Sequence, residues 1–303
     1  MKHITITGSL GSGKSCVARL LNEALGFPIV SVGGLLREMA TEHHMDATAF
    51  NIYMEQHPEL DHLLDDRVTA LGQDASPKIF DSRLAWHFIP TSFKVCLTVA
   101  DEIAAVRIYK DDSRVGETYG SSQEAQEQIK KRRESEVHRY HTLYNIDLEA
   151  PQQYDVVIDT SHKTPREVAD EILHAYRESV CIGSYTKEYI VHPQHLADAV
   201  GSGDMPVLAT PQLIAFMENC AMETAARTLT GADLTTVGTF VATDHRHPSA
   251  LGVTVSVQAF LMEQEGKKLR FQIEARDPNG VVAFCSHDRF IVSRSKFMQR
   301  VNG

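Results

Sequence analysis

Long apolar runs are missing from this chain. No uninterrupted hydrophobic stretch in its 303 residues approaches the roughly 20 needed to cross a bilayer, so no membrane segment is expected. Cysteine is scarce and scattered. Cys16, Cys96, Cys181, Cys220 and Cys285 are odd in number and mostly set in apolar segments, which fits reduced, buried thiols in a cytoplasmic protein better than a disulfide or zinc framework. Positive charge is in deficit: 30 Lys and Arg stand against 40 Asp and Glu, a net charge of −10, which argues against a nucleic-acid partner. The opening MKHITITGS enters a strand pattern without a long apolar stretch before it, so no secretory leader is expected. There is no internal repeat and no low-complexity tract.

What remains is the composition of a globular protein, 43% hydrophobic and 23% charged, with a length that favours two domains. The first half alternates short β-rich runs (HITITG, FPIVSV, PKIFD, FKVCLTV, YDVVID) with amphipathic stretches, the pattern of a doubly wound parallel α/β sheet. TPREVADEILHAYRE closes that half as a helix with a Thr164 cap and an apolar stripe through Val168, Ile172 and Tyr176. After Glu178 the pattern changes. One helix from Thr210 to about Thr230 precedes four long alternating runs separated by turns such as DPNG, an α+β arrangement of a central helix on an antiparallel sheet. The boundary falls between Glu178 and Ser184, giving domains at 1–180 and 181–303.

GSLGSGKS, Gly8 to Ser15, has the spacing of a P-loop, with a strand leading in and a helix leading out from Cys16. The residue types suit polyphosphate. Gly8, Gly11, Ser12 and Gly13 let backbone amides converge on phosphate oxygens, Lys14 reaches the β and γ phosphates, and Ser15 offers a hydroxyl to Mg2+. ATP is the expected donor. Beyond the loop, the chain resembles archaeal-type cytidylate kinases and their nucleoside monophosphate kinase relatives from Lys2 to about Tyr176. SVGGLLREMA resembles the acceptor segment, with Arg37 matching an arginine that holds the acceptor phosphate. FDSRLAW resembles the end of the third strand, which implies Asp81 near the metal and Arg83 on phosphate. IKKRRESEVHRYHTLYNIDL resembles the lid and its following helix, with Arg132 and Arg139 matching arginines that neutralise the transferring phosphoryl group. Two departures stand out. Gly34 replaces an acidic residue, and Asp111 occupies the place of a second lid arginine after Arg107, leaving Arg114 or Arg133 as substitutes. The basic run Lys130 to Arg133 also reads as a solvated helix face paired with Glu127, Glu134 and Glu136.

In the second half, Glu218 is a carboxylate among hydrophobic helical neighbours Ile214, Ala221, Met222 and Ala225, which asks for a partner or a cavity. From about Ser184 to Met298 the chain resembles hotdog-fold thioesterases of the fluoroacetyl-CoA thioesterase group. The resemblance implies that Thr210, Glu218 and His245 form the active site, that Gly238 lines an acyl pocket, and that the domain pairs into a homodimer with its sites at the seam. It also implies an acyl-CoA substrate. Glu218 would serve as base or nucleophile, His245 as proton shuttle, and the amides after Thr210 as oxyanion holder. Thr210 before Pro211 reads equally as a helix cap, and His287 as an interface or strand-surface residue. The sequence thus suggests a nucleoside monophosphate kinase joined to an acyl-CoA thioesterase; a regulatory protein that binds nucleotide and acyl-CoA without turnover, or a hotdog half that only dimerises, are the alternatives.

Overall fold

The computed structural model describes residues 1–45, 50, 53, 57–110, 121–148 and 150–302; at positions 37, 58, 61, 122, 125, 128, 131, 132, 135, 136, 138, 139 and 302 it describes the backbone alone. The chain divides into two compact units, Met1–Ala175 and Tyr176–Gly303. That division lies a few residues ahead of the change in sequence pattern and inside a helix.

The first unit is a five-stranded parallel sheet in the order β2-β3-β1-β4-β5, made of β1 (Ile4–Gly8), β2 (Ile29–Ser31), β3 (Ile79–Asp81), β4 (Phe93–Thr98) and β5 (Val156–Asp159). Ile4, Ile6, Ile79, Phe80, Val95 and Leu97 are wholly buried, as parallel strands covered on both faces require. Among the described residues its helices include α1 (Lys14–Leu25), α2 (Val32–Glu42), α3 (Pro58–Gly72), α4 (Ala85–Phe88), α5 (Asp101–Tyr109), α6 (Ser122–Tyr144) and α7 (Pro165–Val180). Local chemistry marks several of their starts. Ser31 accepts from the Gly34 amide at the head of α2, and Ser121 accepts from the Glu124 amide at the head of α6. Thr164 and Glu167 bond each other's amides at the head of α7, whose Val168, Ile172 and Tyr176 are buried. These strands are the five read from the sequence.

The second unit is a five-stranded antiparallel sheet in the order β6-β8-β9-β10-β7: β6 (Gly183–Ile190), β7 (Leu234–His245), β8 (Thr254–Glu265), β9 (Lys268–Asp277) and β10 (Gly280–Ser293). After β6 come the short α8 (Ala197–Val200) and the long α9 (Thr210–Ala226); α10 (Arg294–Asn302) ends the chain. Alternation does the sorting. Val255, Val257, Ala259 and Leu261 of β8 and Leu269, Phe271, Ile273 and Ala275 of β9 face one side, where Leu213, Met217, Cys220 and Ala221 of α9 cover them. Each fully buried Val, Leu, Ile, Phe or Met among them contributes about 1.5–3 kcal/mol. On the opposite face Arg177 and Glu274, both nearly sealed from water, pair at 3.3 Å, and Arg177 lies over the Phe284 ring.

Two sequence expectations need correction here. The helix α9 stops at Ala226 rather than near Thr230, because Arg227 only completes the last turn. Its cap position is held by Ala209, not by Thr210, which is the first helical residue and turns its hydroxyl elsewhere. The strand β6 has no counterpart in the sequence reading. Its alternation is carried by Tyr, Lys and Glu, because it is an edge strand with one side half-exposed.

Candidate functional site

Two sets of chemistry-bearing side chains emerge, one in each unit. In the first, β1 runs out into the loop that the sequence marks. Gly8 has φ 143°, and a Cβ there would lie 2.1 Å from the Leu97 carbonyl oxygen, so only glycine lets β1 leave the sheet beside β4. The Ser9 amide donates to that same carbonyl at 3.2 Å, and Ser12 Oγ donates to the Ser9 carbonyl at 2.8 Å, folding the loop back on itself. Gly11 is tied from outside: Arg107 donates to its carbonyl at 3.3 Å and to the Thr160 carbonyl at 2.7 Å, joining the loop to the end of β5. Gly13 caps α1 at φ 86° and has nothing within 4 Å of where a Cβ would be, which leaves open space ahead of the helix. That is the geometry of an anion cradle.

Lys14 Nζ donates to the carbonyls of Gly8 and Ser9 at 2.9 and 3.0 Å, so the ammonium is held at the mouth of the loop. Ser15 Oγ donates to Asp81 Oδ2 at 2.6 Å, uniting the start of α1 with the end of β3. A hydroxyl and a carboxylate are hard oxygen donors, and their juxtaposition fits Mg2+. Cys16 follows as a half-buried free thiol.

Beside the loop lies a cavity of about 230 Å3, lined among others by Ser9, Arg83, Cys96, Arg133, Tyr154 and Val157. Burial pushes the Cys96 thiol up, partly offset by the charges of Lys14 and Arg83. Arg83 is anchored through its carbonyl, which accepts from Thr7 Oγ1 at 2.9 Å and Trp86 Nε1 at 3.0 Å. Arg133 pairs with Asp101 at 3.6 Å and lines the cavity, so it does not belong to a purely solvated face. The side chains of Arg37, Arg132 and Arg139, and the whole of Asp111 and Arg114, lie outside the described residues. At Gly34 a Cβ would meet Ser31 only at ordinary contact distance, so packing does not demand the glycine.

In the second unit, α9 and β7 hold the named residues. Thr210 and His245 meet: Oγ1 and Nδ1 are 2.8 Å apart. His245 Nε2 lies 3.1 Å from the His247 carbonyl, which can only accept, so the ring proton sits on Nε2 and Thr210 donates to Nδ1. Burial holds the ring below the usual histidine range, an effect partly offset by the His247 carbonyl and Asp244.

Glu218, two turns further along α9, is about 12 Å from Thr210 along the axis. Its carboxylate is half-exposed and faces Gly238, where a Cβ would fall 2.6 Å from Oε1. Gly238 and His245 of β7 share a face because of a bulge. Arg289 of β10 pairs with Gly238 and Asp288 with Phe240, leaving Thr239 unmatched, so the seven-residue separation between Gly238 and His245 behaves as six.

His287 requires a correction. It is not a strand-surface residue but is 1% exposed, with Nε2 3.7 Å from Glu218 Oε1. Its Nδ1 donates to the Phe240 carbonyl at 2.7 Å, and Nε2 accepts from Arg289 at 3.0 Å; burial, chiefly, holds it below the usual range. Arg289, buried too, also donates to the Glu218 carbonyl at 3.2 Å and to Thr236. Sequence reasoning missed Arg289 and the His247 carbonyl. The signal for the first was parity: His287 and Arg289 continue the inward positions of Ala283 and Cys285, an apolar face on which a charge is out of place.

Comparison with known proteins now adds to this geometry. Residues 3–162, more than half of the chain, match the model described as Cytidylate kinase-like family. The chain belongs to the cytidylate kinase-like family. Its first half is a cytidylate kinase-like domain similar to two archaeal proteins named Cytidylate kinase. That of Methanothermobacter thermautotrophicus is 36% identical over 158 residues, 52% of this chain and 94% of the relative. That of Methanothrix thermoacetophila is 36% identical over 174 residues, 57% of this chain and 97% of the relative. The S-adenosylmethionine-dependent nucleotide dehydratase of Lacinutrix mariniflava is 35% identical over 179 residues, 58% of this chain but 36% of that protein.

Outside the kinase-like domain, residues 191–295 match the model described as FlK: Fluoroacetyl-CoA-specific thioesterase, so the second half is a FlK-like hotdog domain. Among solved structures, the fluoroacetyl-CoA thioesterase FlK aligns with a TM-score of 0.37 and 23% identity, covering 39% of this chain and 92% of that one. No helix among the described residues is long and apolar enough to cross a membrane.

Proposed function

We propose that the first half transfers a phosphoryl group from ATP to a nucleoside monophosphate, CMP or dCMP, and that the second half hydrolyses a short acyl-CoA thioester. The Ser15–Asp81 contact beneath an open glycine cradle carries the first reading. Ser15 and Asp81 would hold Mg2+, which when bound supplies charge neutralisation at the β and γ phosphate oxygens. Lys14 exchanges its two loop carbonyls for phosphate oxygens. Arg83 receives the acceptor phosphate, with Arg37 and Arg139 assigned to the same task and Arg132 to the transferring group. In a coupled assay, ADP should form from ATP with CMP or dCMP, and Lys14→Ala should abolish it. Tight ATP binding without ADP formation on CMP, dCMP, UMP or AMP would overturn this half of the proposal.

For the second half, the Thr210–His245 hydrogen bond carries the reading. A neutral imidazole whose Nδ1 lone pair faces a hydroxyl takes its proton as the oxygen attacks the thioester carbonyl. The carbon–sulfur bond then breaks and the imidazolium returns the proton to the thiolate. Water, giving a proton to Glu218, attacks the acyl ester; the Thr210 Oγ1–acyl bond breaks, and Oγ1 takes that proton back as the free acid leaves. Of the amides after Thr210, Pro211 has no N–H and that of Leu213 is taken by the Ala209 carbonyl, so the Gln212 amide is the one assigned to the oxyanion.

Because Glu218 and Thr210 stand about 12 Å apart on one helix, the site is completed by a second copy. β7 is a sheet edge with exposed Phe240 and Val241. A two-fold between two such edges would run them antiparallel and bring the Gly238 end of one toward the His245 end of the other. Glu218 of one protomer then faces the Thr210–His245 pair of the other. Mixing Glu218→Gln with His245→Ala protein should restore about a quarter of the parent turnover of acetyl-CoA or butyryl-CoA, since half the dimers are mixed and each regains one of two sites. No restoration, with dimers shown by sedimentation, would place the whole site in one chain.

A further inference from the structure

We infer that His287 is a positioning residue for Glu218: it accepts a hydrogen bond from that carboxyl group once water has given it a proton, and so acts in releasing the acyl group rather than in capturing it. The inference rests on the hydrolase reading above. The ring is 1% exposed and its Nδ1 donates to the Phe240 carbonyl at 2.7 Å, which leaves Nε2 without a proton. Nε2 stands 3.7 Å from Glu218 Oε1. With Glu218 ionised these are two acceptors facing one another beyond hydrogen-bonding distance, and a proton on Oε1 turns their repulsion into a hydrogen bond. The pair therefore gains a contact at the moment the attacking water is deprotonated.

The surroundings support this use. A Cβ at position 238 would lie 2.6 Å from Oε1 and 3.1 Å from His287 Cε1, so glycine there is what lets carboxylate and ring share one space. Arg289 donates from Nη1 to His287 Nε2 at 3.0 Å and to the Glu218 carbonyl at 3.2 Å, while its Nε and Nη2 donate to Thr236. Nη1 keeps the Glu218 carbonyl when the Nε2 lone pair turns to Oε1. Burial, chiefly, together with the Arg289 charge keeps the ring neutral, so it takes the hydrogen bond and not the proton itself. The proton stays on Glu218 for its return to Thr210 Oγ1. Phenylalanine or leucine would fill this sealed position without burying two ring nitrogens, so packing alone does not select histidine.

The test uses two substitutions on the full chain, each checked for folding by thermal melting. His287→Asn keeps a donor for the Phe240 carbonyl and removes the acceptor facing Glu218; His287→Gln keeps an acceptor there. If His287→Asn does not fold, His287→Leu takes its place. Single-turnover rapid-quench measurements with acetyl-CoA follow thiol release and the loss of the acetyl group from the protein separately. His287→Asn should slow the loss of acetyl about tenfold, the effect of one lost hydrogen bond, and leave thiol release unchanged. His287→Gln should stay close to the parent in both. Equal slowing of the two steps, no slowing of either, or thiol release with no acetyl group on the protein overturns the assignment. If the parent releases no thiol from acetyl-CoA or butyryl-CoA, the hydrolase reading itself fails and the assignment falls with it.

Discussion

The Thr210 hydroxyl donates to Nδ1 of His245 across 2.8 Å, joining the first residue of α9 to the last residue of β7. The helix does not need this bond in order to start, since Ala209 occupies its cap position. Thr210→Val keeps the shape and removes the hydroxyl. Thioester hydrolysis should fall by at least about a hundredfold with little change in melting temperature, and Thr210→Ser should recover most of it. A Thr210→Val protein with parental kcat would return this residue to helix initiation alone.

The pH dependence follows from burial. His245 and His287 are both held below the ordinary histidine value, chiefly by desolvation. A depressed folded value means that the unfolded chain takes up protons first. The associated stability is therefore complete above about pH 6.5 and is lost as pH falls through the depressed values. For hydrolysis, the neutral ring is the active form, so the acid limb of kcat/KM should have its midpoint below about pH 6.5. Asp244 raises the His245 value, so Asp244→Asn should move that midpoint further down. A midpoint above the ordinary histidine value in the parent, or an upward move in the variant, contradicts the assignment.

In the first unit the Ser15–Asp81 pair predicts a specific metal response. Asp81→Asn should reduce ADP formation with CMP by about a hundredfold or more, and high Mg2+ should recover part of the loss. Calorimetry would show nucleotide still bound in the absence of the metal, through the loop amides and Lys14. Parental activity in Asp81→Asn at low Mg2+ would remove this carboxylate from the metal site.

Gly238→Ala separates a site role from a packing role. The new methyl would fall 2.6 Å from Glu218 Oε1, the free end of a flexible side chain, and 3.1 Å from His287 Cε1. The carboxylate can swing away at little cost to the fold, so melting should shift by only a few degrees. Hydrolysis should nonetheless drop at least tenfold, because Glu218 loses its position. A variant that hydrolyses acyl-CoA at the parental rate would show that the carboxylate does not act from where it now lies.

The strands of the first half and β7 to β10 were legible because their periodicities are strong: short, uniformly apolar runs for a doubly covered parallel sheet, and alternation for a sheet with one continuous apolar face against a helix. The P-loop was legible for the same kind of reason. Its backbone path needs glycine at particular places, and its helix start places Lys14 and Ser15 without help from distant residues. By contrast, β6 was hidden, because an edge strand carrying Tyr185, Lys187 and Tyr189 presents no apolar stripe to recognise.

Sequence alone determined which residue types are available and which lie within a turn or a strand of one another, since local backbone preference and side-chain periodicity act over a few residues. Only the tertiary structure decided that His287 is buried beside Glu218, that Arg289 braces both, and that a bulge at Thr239 returns Gly238 and His245 to one face. Those relations depend on strand register and on the seating of α9, and these are set by the packing of an entire core rather than by any segment of it.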